Sequence, residues 1–203
     1  MAKKKSEEVD LSTAEKIKEA AQRVFMQKGY AATRTRDIAE AAGINLALLN
    51  YYYRSKEKLF ELIMFEKLGK FFGSIIPILN DVNASLEQKI ITFANSYIEF
   101  LSANPDLPLF ILSEIRYNPE QFVNKLPVAK AFESHFVKQL QERRADLHPA
   151  HFVMNLLGMT VFPFIMKPIF QASGMMGEKV FAARMEERKA LIPKWMNAML
   201  KTK

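Results

Sequence analysis

The amino-acid sequence predicts an all-α protein. Apolar residues recur at helical spacing along most of the 203 residues, and no segment alternates apolar and polar residues as a half-buried strand would. Only 7 glycines interrupt these patterns. The hydrophobic fraction of 49% is high enough to build a core, whereas disordered chains bury too little apolar surface to fold. The length suits one domain, or a small domain fused to a larger one.

The composition excludes several classes of protein. The chain contains no cysteine, which rules out disulfide scaffolds, thiolate zinc sites and cysteine nucleophiles. The longest apolar stretch, residues 152–170, is interrupted by two prolines and a lysine, so we expect no membrane-spanning helix. The N-terminus lacks the apolar segment of a signal peptide, which favours a cytoplasmic location. The net charge of +7 suits an anionic partner such as nucleic acid, or simply a soluble surface.

The first predicted helix follows a basic tail. Residues 1–10 include Lys3–Lys5, which form either a solvated tail or a basic arm that contacts DNA. Ser12 and Glu15 have the spacing of a capping box, and Gly29 is placed to end the helix. Between them one apolar stripe has helical spacing and comprises Ile17, Ala20, Ala21, Val24 and Phe25.

Two short helices come next. Thr33 is placed to cap the second helix, which we expect to stop at Gly43. Asn45 is placed to cap the third. Ile44 before that cap and Leu49 after it have the spacing of a hydrophobic staple, which would set the angle at which the chain enters the helix.

A long fourth helix and five later helices complete the chain. Ser55 is placed to cap the fourth helix, and we expect this helix to break near Gly73 or Pro77. The total is then nine helices, the later ones at about 85–103, 106–117, 119–144, 149–171 and 178–201.

The second and third helices, with the turn between them, have the features of a helix-turn-helix. A major groove about 12 Å wide accepts one such helix. Asn50 is able to bond an adenine edge, and Leu46 and Ala47 are able to contact a thymine methyl group. Tyrosine hydroxyls and Lys56 suit phosphate oxygens. Spacing alone leaves a second interpretation open, in which this is an ordinary helical hairpin with packing aromatics.

Three segments, residues 29–33, 36–45 and 52–60, closely resemble the N-terminal domain of TetR-family transcriptional regulators. The resemblance covers about residues 12–60. It implies an all-helical homodimer that binds double-stranded DNA, with a helix-turn-helix domain over 11–54 and an effector-binding and dimerisation domain over 55–203.

The resemblance also implies which residues contact DNA. Many family members have tyrosine at the position of Asn50 and a polar or basic residue at that of Leu46, so we expect a different base preference here. The implied contacts are Thr35, Arg36, Asn45, Leu46, Ala47, Asn50, Tyr51, Tyr52 and Lys56.

The C-terminal half is rich in methionine and phenylalanine. Eight of the 11 methionines follow His151. Such residues at helical spacing form a core or a dimer interface, or line an adaptable pocket for an apolar effector. The last two helices resemble the pair with which the family dimerises, which implies a four-helix bundle between two subunits. Candidate pocket residues are Phe93, Tyr97, Arg116, Met159 and Phe162.

No residue pattern indicates catalysis or a cofactor. Neither a P-loop, a dinucleotide glycine pattern nor a catalytic triad spacing occurs. His148 and His151, with Asp146 nearby, resemble a metal site, but Pro149 between them favours a polar helix start. We therefore predict a non-enzymatic transcriptional repressor that a small, largely apolar effector releases from its operator. The alternatives are an activator, or a helical protein that binds a membrane surface or an apolar ligand without regulating DNA.

Overall fold

The computed structural model describes the backbone of residues 2–202 and the side chains of residues 12–202. Within this range the chain forms eleven helices and no strand, which confirms the all-α class. It divides into two compact units, the first ending at Leu68 and the second beginning at Gly69. The helices are α1 (Ala2–Ala32), α2 (Thr35–Ala42), α3 (Leu46–Tyr53), α4 (Lys56–Asn80), α5 (Leu86–Ser102), α6 (Leu107–Tyr117), α7 (Pro119–Lys125), α8 (Val128–Phe132), α9 (His135–Arg143), α10 (Pro149–Ala172) and α11 (Glu178–Lys201).

The apolar stripe predicted for α1 builds the core of the first unit. Ile17, Ala20 and Ala21 are fully buried in it. The ring of Phe25 meets that of Phe60 edge to face, with centroids 5.1 Å apart. Burial of these side chains removes apolar surface from water and so holds α1 against the start of α4.

Two predicted helix starts are wrong. Ser12 lies inside α1, because the helix already begins at Ala2 and the backbone N–H groups after Ser12 have carbonyl partners one turn earlier. Thr33 does not cap α2, because its hydroxyl donates to the carbonyl of Gly29 at 2.7 Å. Arg34 instead precedes α2, and its N–H donates to the Asp37 carboxylate at 2.9 Å. The backbone does leave helical geometry at Gly29, as predicted, with φ of 74°.

Helix α4 differs from the prediction in its continuity. It runs from Lys56 to Asn80 without the expected break near Gly73 or Pro77. Pro77 removes the N–H that would bond the carbonyl of Gly73, but both residues are exposed, so water is able to satisfy that carbonyl. At the other end Ser55 accepts from the N–H of Lys58 at 3.2 Å, which is the cap that the sequence predicts.

The single helix predicted over 119–144 is three helices. The chain is extended at Leu126, and Pro127, which has no N–H to donate, is the residue directly before the next helix. The Ser134 hydroxyl donates to the carbonyl of Ala131 at 2.6 Å, between α8 and α9. The helices predicted for the rest of the second unit correspond to α5, α6, α10 and α11.

Helix α10 contains Pro163, which deprives the carbonyl of Met159 of its helical partner. Arg188 on α11 fills that vacancy, since its guanidinium donates to the Met159 carbonyl at 2.8 Å. By length and composition α10 is able to cross a membrane, so the sequence-based exclusion of such a helix is wrong on that criterion. Only 22% of its apolar window is buried within the chain.

Candidate nucleic-acid interface

The turn between α2 and α3 is tight and locally satisfied. Gly43 takes a φ of 66°, the left-handed region that glycine occupies without steric cost. Its N–H donates to the carbonyl of Glu40 at 3.0 Å. The side chain of Asn45 then accepts from the N–H of Leu48 at 2.8 Å, which confirms the predicted cap of α3. These contacts set the direction in which α3 leaves the turn.

One face of α3 is buried and the opposite face is exposed. Leu49 is fully buried and anchors the helix. Ala47, Asn50 and Tyr51 are exposed, and their spacing of i, i+3 and i+4 places them on one helical face. Tyr51 is 74% exposed. Leu46 is half-buried beside this face. Three of the residues that the sequence analysis predicts to contact DNA therefore share one exposed face of α3.

The three consecutive tyrosines take different roles. Tyr53 packs on α1, where its hydroxyl donates to the carbonyl of Ala14 at 2.8 Å and burial raises the pKa of that hydroxyl. Tyr52 is half-buried and meets Tyr51 edge to face, with ring centroids 5.4 Å apart. The packing interpretation therefore describes Tyr53, whereas Tyr51 is displayed to solvent.

Lys56 is half-buried and is already bonded within the chain. Its ammonium donates to the carbonyls of Tyr30 and Thr33, each at 3.0 Å, and lies 4.2 Å from the centroid of the Tyr30 ring. An ammonium has three N–H donors, and these bonds use two of them. Lys56 thus ties the start of α4 to the end of α1, and a phosphate contact has to use the third donor.

The start of α2 carries the other two predicted contacts. Arg36 is exposed and Thr35 is half-buried. Asp37 follows them, and its carboxylate accepts from the Arg34 N–H and pairs with the Lys28 ammonium at 3.2 Å. These contacts lower the pKa of Asp37, the backbone hydrogen bond being the largest cause. The predicted arm at residues 1–10, with Lys3–Lys5, has its side chains outside the described residues.

The five residues predicted as an effector pocket do not meet in the second unit. Phe93 and Tyr97 line a cavity of about 120 Å³. Met159 and Phe162 line a separate groove of about 690 Å³ between α10 and α11. Arg116 lines neither, because it is exposed on α6 with its guanidinium 5.3 Å from the Tyr117 ring. The grouping fails because spacing along a helix does not specify which helices become neighbours.

The structure adds cavity residues that the sequence reasoning missed. Five helices contribute them, and half of the lining residues are aromatic. The adjacent phenylalanines of α4 were the available signal, since two neighbouring rings on a long helix suggest more than one buried face. The full lining is Phe71, Phe72, Leu79, Phe93, Tyr97, Val128, Ala131, Phe132, Phe136, Val153, Leu156 and Leu157.

The histidine pair serves the start of α10. His148 precedes the helix, and its Nδ1 accepts from the N–H of Ala150 at 3.2 Å. Its ring lies 6.4 Å from that of His151. Among residues 12–202, no group of three or more histidine, aspartate or glutamate side chains is placed to hold a metal ion.

The chain is similar to known bacterial transcriptional regulators. The family described as "Bacterial regulatory proteins, tetR family" matches residues 17–63, a range that includes α2 and α3. A probable HTH-type transcriptional regulator, YttP of Bacillus subtilis (strain 168), is 22% identical over 76% of this chain and 78% of its own length. The HTH-type transcriptional repressor KstR2 of Mycolicibacterium smegmatis is 32% identical over 54% of this chain and 60% of its own.

Solved structures share the fold over most of the chain. A TetR-family regulator from Mesorhizobium loti superposes with a TM-score of 0.63, at 19% identity, over 93% of this chain and 96% of its own. The transcriptional regulator FadR from Bacillus subtilis, solved in complex with stearoyl-CoA, gives a TM-score of 0.57 at 17% identity. That comparison covers 87% of this chain and 96% of FadR.

Proposed function

We propose that the chain is a TetR-family, DNA-binding transcriptional regulator, and that it acts as a repressor which a small, largely apolar effector releases from its operator. The exposed face of α3 carries the proposal. Asn50 on that face has the amide geometry that bonds an adenine edge through two hydrogen bonds. Ala47 beside it is small enough to meet a thymine methyl group.

The remaining predicted contacts position the protein on the phosphate backbone. Arg36 and Lys56 supply charge, and Thr35, Asn45 and Tyr51 supply donors, all of which suit phosphate oxygens. Base reading and backbone positioning therefore belong to different residues. Removing a base contact changes sequence preference, whereas removing a phosphate contact weakens binding to all sequences.

We propose that two copies act together. TetR-family regulators act as dimers, and the apolar face of α10 is largely uncovered in one chain. Met154, Phe162 and Ile169 are each more than half exposed on this helix. A second copy of α10 and α11 covers them in a four-helix bundle, and each recognition helix then reads one of two half-sites about 34 Å apart.

Release from the operator needs a site for the effector, and the cavity of the second unit is our candidate. It is lined mostly by apolar side chains, and α4, which begins at Lys56, contributes Phe71, Phe72 and Leu79 to it. The stearoyl-CoA bound to FadR supports an effector with an apolar part. An effector that binds the DNA-incompetent form better by about 1–3 kcal/mol lowers DNA affinity roughly 5- to 150-fold, without refolding.

Gel retardation with DNA from the protein's own gene neighbourhood tests the DNA-binding part. We expect a retarded complex at low salt, and the proposal fails if the protein retards none of these fragments. Asn50→Ala is expected to change the preferred sequence, by about 1–3 kcal/mol at the base that it reads. Lys56→Ala is expected to weaken binding to every duplex and to reduce the salt slope by about one.

Matched variants complete that test. Asn124→Ala and Lys70→Ala change the same residue types at exposed positions away from α3 and are expected to bind like the unmodified protein. Identical behaviour of Asn50→Ala and Lys56→Ala on all duplexes would contradict the division between base reading and backbone positioning.

Membrane-surface binding is the second candidate function, and the exposed apolar face of α10 is the observation that favours it. Co-sedimentation with liposomes separates it from the first. We expect the dimeric protein to stay in the supernatant after the liposomes are sedimented, and to occur in the cytoplasmic fraction of a cell. If α10 forms the dimer interface, Phe162→Glu is expected to convert the dimer to a monomer in analytical ultracentrifugation. Sedimentation with the vesicles would favour the membrane interpretation.

A further inference from the structure

Tyr97 is the one residue with a polar side chain among the twelve that line the cavity of the second unit, and the other eleven have hydrocarbon side chains. We propose that the effector is a small, neutral aromatic carbonyl compound whose oxygen accepts a hydrogen bond from Tyr97. This inference rests on the proposed function, because it names the chemical class of the effector that the cavity binds. It also assigns Tyr97 as the residue that determines specificity.

Tyr97 is prepared to donate. The residue is 7% exposed, and its ring stacks on Phe71 at 5.0 Å and meets Phe93 edge to face at 5.4 Å. Within residues 12–202 its hydroxyl has no hydrogen-bond partner. Burial raises the pKa of this phenol, so the hydroxyl keeps its proton at physiological pH. An acceptor atom on a ligand bound in the cavity would give this hydroxyl a hydrogen bond that no protein group supplies within residues 12–202.

The charge around the cavity favours a neutral ligand. None of the twelve lining residues is ionisable apart from Tyr97. Lys89 lies one helical turn before Phe93 on α5, but it is fully buried and does not face the cavity. Its ammonium instead contacts Nδ1 of His135 at 3.0 Å and donates to Oε1 of Gln139 at 2.9 Å. A carboxylate in the cavity would lose its water without gaining a cationic partner.

The size and the lining favour an aromatic ring. The cavity of about 120 Å³ is close to the roughly 150 Å³ of an engineered apolar cavity that binds benzene. Six of its twelve lining residues are aromatic. Aromatic rings attract one another in edge-to-face or offset arrangements, and the ring of a bound ligand is able to add one more such contact with the lining rings.

The experiment is a calorimetric titration of the full-length protein with three probes. Acetophenone carries the carbonyl, isopropylbenzene has nearly the same shape without the oxygen, and benzoate is the charged counterpart. We expect acetophenone to bind at least tenfold more tightly than isopropylbenzene, and benzoate to bind more weakly than either. Equal binding of acetophenone and isopropylbenzene, or tightest binding of benzoate, would overturn the inference.

Three variants locate the effect. Tyr97→Phe is expected to bind both neutral probes equally, because it removes only the hydroxyl. Tyr117→Phe removes a hydroxyl from an exposed position on α6 and is expected to keep the preference. Ala131→Leu fills the cavity and is expected to reduce binding of both probes at least tenfold. If Tyr97→Phe still binds acetophenone more tightly than isopropylbenzene, the inference is contradicted. If Tyr97→Phe does not fold, Ala131→Leu decides, and unchanged binding of both neutral probes to that variant contradicts the inference.

Gel retardation of the same samples separates this inference from the proposed function. If acetophenone shows the Tyr97-dependent preference and DNA stays bound, the ligand site stands and effector-driven release fails. If the protein retards DNA and none of the three probes binds, the inference fails and DNA binding stands.

Discussion

The exposed face of α3 and the cavity of the second unit are held in place in different ways. Around α3, short-range backbone contacts set the geometry, including the turn at Gly43 and the cap at Asn45, with Leu49 as the buried anchor. The cavity has no comparable local scaffold, because its lining comes from α4, α5, α8, α9 and α10. Its shape therefore depends on the packing of side chains distant in sequence.

This difference separates stability from function in the two regions. The residues displayed by α3 are exposed and contribute little to folding, so we expect their substitution to alter binding more than stability. The residues around the cavity contribute to both, because a lining side chain also belongs to the core. The predictions below test this contrast in order of decreasing effect.

The largest effect is expected from Phe152→Ala in the core of the second unit. Phe152 is fully buried, with its ring centroid 6.3 Å from that of Phe136, a lining residue of the cavity. The substitution is expected to lower the free energy of unfolding by about 3–5 kcal/mol, measured by urea denaturation. Val82→Ala, at a position 70% exposed, is the control and is expected to change it by less than about 0.5 kcal/mol. Similar losses in both variants would contradict the dependence on packing.

Arg188→Met tests a polar contact that this packing requires. The substitution keeps much of the side-chain length but removes the donor to the Met159 carbonyl. That carbonyl lies one helical turn before Pro163, which has no N–H to offer it. We expect a loss of about 1–3 kcal/mol in the free energy of unfolding. Arg184→Met removes an exposed arginine that pairs with Glu187 and is expected to cost less than about 1 kcal/mol. If the two variants were equally stable, the Met159 carbonyl would not need Arg188.

A pair of helix caps compares the two regions directly. Asn45 caps α3 and Ser85 caps α5, each accepting from a backbone N–H three residues later. Asn45→Ala and Ser85→Ala are each expected to lower the free energy of unfolding by about 1 kcal/mol. Only Asn45→Ala is expected to weaken binding in gel retardation, because only that cap positions the displayed helix. Equal DNA affinity of the two variants would contradict the link between the cap and the interface.

The smallest effect is a dependence on acid pH in the first unit. The folded protein lowers the pKa of Asp37 below its ordinary value, through the Arg34 N–H and the Lys28 ammonium. The ionised carboxylate therefore stabilises the fold above the pKa of the unfolded chain, and this contribution disappears as pH falls through the folded pKa. We expect two-dimensional NMR titration to report a pKa below 3.8.

Asp37→Asn is the test of that contribution. Below about pH 4 the free energy of unfolding of this variant is expected to fall less steeply with pH than that of the unmodified protein, since asparagine does not titrate. Glu120→Gln, at the exposed start of α7, is the matched control and is expected to leave the acid limb unchanged. An Asp37 pKa at or above the ordinary value would contradict the hydrogen-bonded geometry at the start of α2.

The accuracy of the sequence analysis follows the same contrast. The stripe of α1, the stop at Gly43 and the cap at Asn45 were predictable because each depends on residues within one or two helical turns. The start of α1, the continuity of α4 and the division of 119–144 were not. The start of α1 depends on whether the residues before Ser12 also adopt helical geometry. The other two features depend on how Pro77 and Pro127 are accommodated by their surroundings.

The sequence alone determined the all-α class, the turn at Gly43 and the cap of α3, because helical periodicity and turn chemistry depend on neighbouring residues. The DNA contacts of individual residues stay predictions until they are tested. Only the tertiary structure decided that Phe93 and Tyr97 share a cavity from which Arg116, Met159 and Phe162 are absent. It also decided that Lys56 bonds two carbonyls. These outcomes depend on which distant side chains become neighbours when the helices pack, and local sequence spacing does not specify that.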